Sequence, residues 1–324
     1  MTTRGDTADA RRTGVLVMSH GTPGALDEVA AFYTEIRRGH PPSPGQLAEL
    51  EERYRAIGGT SPLNERTRAQ VTGIAAALDQ RAPGRYTVVG GAKFAPPRIE
   101  DAVGELLRAG VSGVVGLVLA PHSSTVSVGE YARRAREAIA AGDHPANPVT
   151  FEMIDHWYEA PGFVTLVAAR VNDAVASLGD DAGRTTVVFT AHSVPKRVVA
   201  AGDTYPEQLE RSARAVAEAA GIRDWSVGWQ SAGRTDDEWL GPDVNAVIRA
   251  IAGAGGAGVV VCPIGFVSDH LEVLYDIDVE ARATASRSGI AFARTASLND
   301  DPHFCGVLAD VVLGAGPIHA LAIG

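Results

Sequence analysis

Short apolar runs of strand length alternate with stretches of helical period along almost the whole chain, and several of them end in loops of small residues, histidine and proline. That alternation restricts the fold to α/β with parallel sheets, because a strand–helix–strand unit returns the chain to the sheet in the same direction. Residues 14–18 form one such run, ending at Ser19-His20-Gly21-Thr22-Pro23. A helical stripe of Leu26, Val29, Ala30, Tyr33 and Ile36 follows, then a second of Leu47, Leu50, Tyr54 and Ile57 closed by Gly58-Gly59, then a third of Val71, Ile74 and Leu78. Residues 86–90 read as a strand, 100–108 as a helix stopped by Gly110, and 111–119 as a strand ending in Ala120-Pro121-His122-Ser123-Ser124.

The second half repeats the plan. Residues 185–190 form a strand ending in Ala191-His192-Ser193-Val194-Pro195. A helix opens at Pro206 and stops at Gly221, 225–229 is a strand, Pro242 opens another helix, and 258–262 is a strand. Strand, then Ser/Ala-His-Gly/Ser-x-Pro, occurs once in each half and points to an internal duplication. The expected architecture is two Rossmann-like α/β domains, each with a central parallel sheet flanked by helices, and a cleft between them. The divisions are 1–13 as a disordered start, 14–155 as the N-terminal domain and 156–324 as the C-terminal domain, with the last helix able to pack on either. Ligands of open parallel sheets sit beyond the carboxyl ends of the strands. His20, His122 and His192 all fall there, so two facing domains would gather them around one cleft.

Charge and composition remove several function classes. The formal net charge of −10 lacks the basic footprint of a nucleic-acid binder. The two cysteines, Cys262 and Cys305, cannot supply a four-cysteine iron–sulfur cluster or a disulfide framework. No apolar run is long enough to span a bilayer and no signal-peptide core opens the chain, so a cytoplasmic protein without an integral membrane segment is expected. GxGxxG after the first strand, GxxxxGK[ST] and GxSxG are all missing, which removes support for nucleotide and serine-hydrolase readings.

The sharpest chemical feature lies in residues 269–280. Glu272, Asp276 and Glu280 recur at a spacing of four along one face of an expected α-helix, a carboxylate ladder about 12 Å long, with Ser268 or Asp269 as its N-cap. Like charges at that spacing repel by about 0.2–0.5 kcal/mol per pair, and no lysine or arginine lies within the run. Such a face is ordinarily a solvated one. Here Phe266, Val267, Leu271 and Leu274 surround it, which favours oxygen ligands for a transient divalent cation, or a proton relay. His192 is the second feature: a strand-end histidine is commonly structural, but at a cleft its imidazole can take a proton or a borderline metal. Third, Tyr33, Arg37, Arg38, Arg53, Tyr54, Ser61, Ser123, Ser124, Ser127 and Tyr131 form a set of donors suited to an anionic ligand.

Several blocks in order resemble the ferrochelatase family. Residues 54–63 (Tyr-Arg-Ala-Ile-Gly-Gly-Thr-Ser-Pro-Leu) resemble its first-domain signature. Ala120-Pro121-His122-Ser123-Ser124 with Ser127-Val128-Gly129-Glu130-Tyr131 resembles its substrate-loop segment, and 189–195 its catalytic histidine loop. Gly202-Asp203-Thr204-Tyr205-Pro206, Trp229-Gln230-Ser231-Ala232-Gly233 and Trp239-Leu240-Gly241-Pro242-Asp243 match further blocks, and 265–272 the catalytic glutamate block. The resemblance spans about 14 to 312. It implies His192 and Glu272 as the catalytic pair, and Asp276 and Glu280 on an acidic metal path with them. It also implies His20, Lys93 and Trp239 among the substrate-binding residues.

The chain most resembles the coproporphyrin III enzymes, because the polar 24–41 segment lacks a hydrophobic lip and four propionates suit an arginine- and serine-lined cleft. Those enzymes often carry tyrosine where His20 stands, and Phe94 replaces a polar neighbour of Lys93. The resemblance implies coproporphyrin III and ferrous iron as substrates. With two cysteines no iron–sulfur cluster is expected as a resident cofactor, and the expected setting is a monomer with hand-off to haem-pathway enzymes. Which of His192 and Glu272 is base and which is metal ligand stays open. Rival readings are insertion into protoporphyrin IX, cobalt insertion into a sirohydrochlorin-type ring, and a non-catalytic porphyrin- or haem-binding protein. The last gives the acidic ladder no task.

Overall fold

The computed structural model describes residues 12–142, 148–233 and 235–315. The first half runs β1 (Thr13–Ser19), α1 (Val29–Ile36), α2 (Pro44–Ala56), α3 (Leu63–Arg81), β2 (Tyr86–Ala92), α4 (Ile99–Arg108), β3 (Gly113–Val118), α5 (Val128–Ala141) and β4 (Thr150–Ile154). The second runs α6 (Pro161–Ala176), β5 (Thr185–His192), α7 (Lys196–Ala200), α8 (Tyr205–Ala220), β6 (Trp225–Gln230), α9 (Val244–Gly253) and β7 (Gly258–Cys262). A wide helix (Val273–Ala281) then runs on into α10 (Arg282–Arg287), followed by β8 (Ala291–Arg294) and α11 (Pro302–Gly314). Of the expected disordered start, 1–11 lie outside the described residues, and Thr13 already pairs with Tyr86 and Gly113 in the sheet.

All strand pairs are parallel, and the two sheets have the same order, β2-β1-β3-β4 and β6-β5-β7-β8. The duplication read from the sequence is therefore carried in the topology: β1 and β5 hold the same position, and His20 and His192 stand at their carboxyl ends. Side chains alternate across each strand. Val15 and Val17 of β1, with Val187 and Phe189 of β5, enter one continuous core together with Ile74 and Leu78 of α3 and Phe304 and Leu308 of α11. Leu16 and Met18 face a second cluster beneath α4 and α5, and Val188 a third beneath α9 and the wide helix. Burying a side chain of this size contributes about 1.5–3 kcal/mol. The shared cluster therefore ties the halves together, and the last helix lies against α3 of the first half and α6 of the second.

The segment after β7 departs from expectation. The amide of Arg282 reaches back five residues to the Ile277 carbonyl, and Val273–Ala281 is a π-helix rather than an α-helix. Such a helix is shorter and wider per residue, so the acidic side chains are packed closer along the axis than an α-helical ladder would place them. Nor does Asp269 cap it. Its carboxylate instead accepts from Ser297 Oγ (2.7 Å) and Asn299 Nδ2 (2.9 Å) and pairs with Arg294 (3.3 Å). Ile277 and Ala281 are fully buried, which fixes the helix to the sheet and turns Asp276 the other way.

Candidate functional site

The carboxyl ends of β1, β3, β5 and β7 open onto one cavity of about 620 Å³ between the two halves, within the size range of small-molecule and cofactor sites. Each strand end delivers a loop to its wall: Ser19–Thr22 as residues 19–22, then parts of 118–128, 192–195 and 265–272. Gly21 makes the first turn possible. It has φ of 81°, and a Cβ there would lie 2.7 Å from Ala95.

Glu272 is ringed by imidazoles. Its Oε1 lies 3.7 Å from His192 Nε2 and its Oε2 3.9 Å from His270 Nε2. The Nδ1 atoms of His20, His192 and His270 each face a main-chain carbonyl, of Gly21 (3.0 Å), Ser193 (2.6 Å) and Ser268 (2.9 Å). A carbonyl can only accept, so Nδ1 carries the proton in all three rings and Nε2 is left for the cavity.

Burial works to raise the Glu272 carboxyl, but His192, His270 and His20 outweigh it and hold it down at about 2. His270 is pushed down by burial and yet ends above the ordinary imidazole range because Glu272 is beside it. His20, although exposed, ends below that range because the protein around its ring desolvates the charged form, opposed by the Gly21 carbonyl. Phe32 (6.1 Å) and Phe94 (4.8 Å) flank its ring. His122 also lines the cavity, stacked on Tyr158 at 5.4 Å, but burial drives it to about 3. Its two ring nitrogens have no hydrogen-bond partner among the described residues. A neutral ring of such low basicity is not a proton acceptor at neutral pH.

Asp276 follows Glu272 along the wall. Burial first, then the Glu272 charge, raises it to about 6, against a hydrogen bond donated by Ser231 and the Arg53 charge. Two pKa units correspond to about 3 kcal/mol, several times the ladder repulsion, so burial governs this residue. Arg53 Nη1 lies 3.5 Å from Asp276, with its guanidinium over the Tyr275 ring at 4.9 Å. The compensating cation thus comes from α2 in the other half. A Ser43–Gln46 capping box with Pro44 in the first turn secures the start of that helix.

His20, Tyr33, Arg53, Tyr54, Ser61, Lys93, Ser124, Ser127, Tyr131, Trp239, His192, Glu272 and Asp276 all border the cavity. Arg37, Arg38, Ser123 and Glu280 do not. Arg37 stacks on Tyr33 (5.6 Å) and donates to the His40 carbonyl (3.2 Å), while Arg38 is exposed. Glu280 lies beyond Asp276, near enough for its charge to act on that carboxyl. Some expected donors are already engaged. Lys93 pairs with Glu130 between the rings of Tyr131 (5.0 Å) and Phe94 (5.2 Å). Tyr54 shares a hydrogen bond with Thr22 (3.0 Å), and Ser124 donates to Asp203 (2.8 Å).

Trp239 sits 6.3 Å from the His192 ring, seated so closely that a Cβ on Gly233 would lie 2.4 Å from its indole. The sequence reading missed His270, Phe32, Gln70 and Ser231. His270 and Ser231 are loop residues without periodicity. Phe32 adjoins the Tyr33 stripe, and Gln70 lies fully buried on α3, donating to Ser268 (2.9 Å) and the Asn299 carbonyl (2.7 Å). Among the described residues, no group of three or more His, Cys, Asp or Glu side chains forms a ready metal cage.

The family model described as Ferrochelatase matches residues 12–315. A Herpetosiphon aurantiacus protein named ferrochelatase is 41% identical over 304 residues, covering 94% of this chain and 99% of its own. A Bacillus pumilus protein named coproporphyrin III ferrochelatase is 41% identical over 308 residues, covering 94% and 97%. Among solved structures, SirB from Bacillus subtilis with Fe3+ superposes with a TM-score of 0.50 at 12% identity, covering 93% of this chain and 94% of that one, a likeness of fold alone.

Proposed function

The chain belongs to the ferrochelatase family, metal chelatases of the lyase class that insert metal into porphyrin for haem synthesis, and on that premise we propose ferrous iron and coproporphyrin III as its substrates and coproheme as its product. The observation that carries this reading is the His192–Glu272 pair, 3.7 Å apart on the wall of a tetrapyrrole-sized cavity. The coproporphyrin assignment draws on Bacillus relatives at 40–41% identity that carry that name. It draws also on the polar donors of the cavity, where Arg53, Ser61 and Ser127 are placed to meet propionates, while Arg37 and Arg38 stand outside the lining.

Insertion releases two pyrrole protons for each iron taken up. His192, with its Nδ1 proton committed to Ser193, presents the Nε2 lone pair as acceptor. Glu272 stays ionised and stabilises the imidazolium that forms. Asp276 and Glu280 pass iron inward and protons outward along the wide helix. His20 meets the metal from the opposite face of the ring through its free Nε2. Lys93, Tyr131, Tyr33, Tyr54, Ser124 and Trp239 shape the walls that hold the macrocycle bent, strain that binding elsewhere must offset. Iron is substrate here, and no resident cofactor takes part. Both cysteines are buried and cannot assemble a four-thiolate cluster. No described helix is long and apolar enough to cross a membrane. The proposed setting is a cytoplasmic monomer that hands product to other haem-pathway enzymes.

The test is an anaerobic single-turnover assay of the purified chain with Fe2+ and coproporphyrin III, beside protoporphyrin IX and beside Co2+ with sirohydrochlorin. Fastest insertion into coproporphyrin III is expected. Preference for protoporphyrin IX or sirohydrochlorin would reassign the substrate, and binding without insertion into any of the three would remove the catalytic reading.

A further inference from the structure

Asp203, in the loop between α7 and α8 of the second half, is 7% exposed and faces the first half. Its Oδ2 accepts from Ser124 Oγ (2.8 Å), the Thr125 amide (2.7 Å) and Thr125 Oγ1 (2.8 Å), and its Oδ1 accepts from the Tyr205 amide (3.0 Å). Burial works against the charge, but the Thr125 and Ser124 bonds outweigh it and keep the carboxyl below its usual range. Beside it, Gln208 of α8 accepts the Ser123 amide at 2.8 Å. One buried carboxylate thus fastens a loop that belongs to the other sheet.

The fastened loop is itself built on Ser124. The Ser124 carbonyl accepts the Ser127 amide (3.0 Å) and the Gly129 amide (3.2 Å), and its Oγ accepts the Val126 amide (3.4 Å). A shift of Ser124 therefore carries Val126, Ser127 and the first turn of α5 with it. Ser124, Val126, Ser127 and Tyr131 all border the cavity, and Val126 is 48% exposed at its edge. His192 stands on the opposing half, eleven residues before Asp203 in the chain.

We propose that Asp203 is a positioning residue for the macrocycle: from the half that carries His192 it fixes the distance to the 123–127 loop, and so the width of the slot that grips a porphyrin. The proposal rests on the porphyrin reading of the cavity. Charge-assisted bonds to a buried carboxylate are the strong class, and losing them frees the loop without touching His192, Glu272 or Asp276. The effect falls on porphyrin affinity, with chemistry on bound porphyrin largely preserved.

The experiment compares wild type with Asp203→Ala and Thr125→Val, the second removing a single donor and leaving the carboxylate in place. For each protein that unfolds cooperatively, coproporphyrin III binding is measured without iron by fluorescence quenching, and KM for porphyrin, KM for Fe2+ and kcat are measured separately. Asp203→Ala is expected to raise the porphyrin Kd and KM about tenfold or more, the equivalent of about 1.4 kcal/mol, with KM for Fe2+ and kcat within about threefold. Thr125→Val is expected to give a smaller rise in the same two quantities, about two- to threefold. It carries the test alone if Asp203→Ala does not fold. Unchanged porphyrin Kd in the folded variants, or a fall in kcat with both KM values unchanged, overturns the proposal. If wild type binds porphyrin but inserts no metal, the catalytic reading fails, whereas the Kd comparison still decides the role of Asp203.

Discussion

His192 Nε2 and Glu272 Oε1 lie 3.7 Å apart, brought together from the carboxyl ends of the adjacent strands β5 and β7. Their environments are unlike. His192 has its Nδ1 proton tied to a carbonyl, while Glu272 is held at about 2 by surrounding imidazoles. The acid is too weak a base for pyrrole protons, and the imidazole is oriented to accept them.

His192→Ala is accordingly expected to lower kcat about 10²–10⁴-fold, the span of a lost general base, with porphyrin Kd within about threefold of wild type. Stopped-flow insertion and fluorescence titration measure the two quantities. Turnover near wild type in the folded variant would remove His192 from the chemistry.

The depressed Glu272 carboxyl has a consequence for acid stability. Its folded value of about 2 lies below the unfolded carboxylate value of about 4.3, so its contribution is fully present above about pH 4.3. That contribution drains away as pH falls towards 2. In metal-free protein, Glu272→Gln should narrow its stability gap to wild type as pH drops from 5 to 3. Thermal unfolding at stepped pH reads this; a gap that widens on acidification contradicts it.

Asp276 has the opposite sign. Its carboxyl is raised to about 6, so the native state binds the proton more tightly and stability falls as pH rises from about 4 through 6. Asp276→Asn should stabilise the metal-free protein at pH 7.5 by on the order of 1–3 kcal/mol while leaving stability at pH 4 nearly unchanged. Iron uptake should slow in the same variant. Denaturant melts at the two pH values, with stopped-flow insertion, test both halves of the statement.

His20 presents a free Nε2 to the cavity between Phe32 and Phe94. His20→Ala is expected to shift the Soret band of the iron-loaded product while changing the insertion rate less than tenfold. An unaltered product spectrum would take His20 away from the metal.

The alternation of strand and helix, the recurring His loop and the placement of His192, Glu272 and Asp276 at one cavity were legible because each is carried by local pattern or by a short contiguous block. What was hidden depends on residues far apart in the chain. Four-residue spacing suits α- and π-helices alike, and it is the tertiary seat of Ile277 and Ala281 that accompanies the wider winding. β4 and β8 are edge strands with no fully buried position, so neither carries the continuous apolar run that marks the equally short β7. The engagement of Lys93 by Glu130 and of Ser124 by Asp203 spans 37 and 79 positions, and no local rule reports that a donor is already taken.

A structure of the chain with coproporphyrin III and no iron tests the central claim most directly. The account predicts the macrocycle in the slot between the 123–127 loop and His192, with a pyrrole nitrogen within about 4 Å of His192 Nε2 and Glu272 behind that imidazole. A porphyrin bound outside this cavity, or seated in it with its central nitrogens more than about 8 Å from both His192 and Glu272, would contradict it.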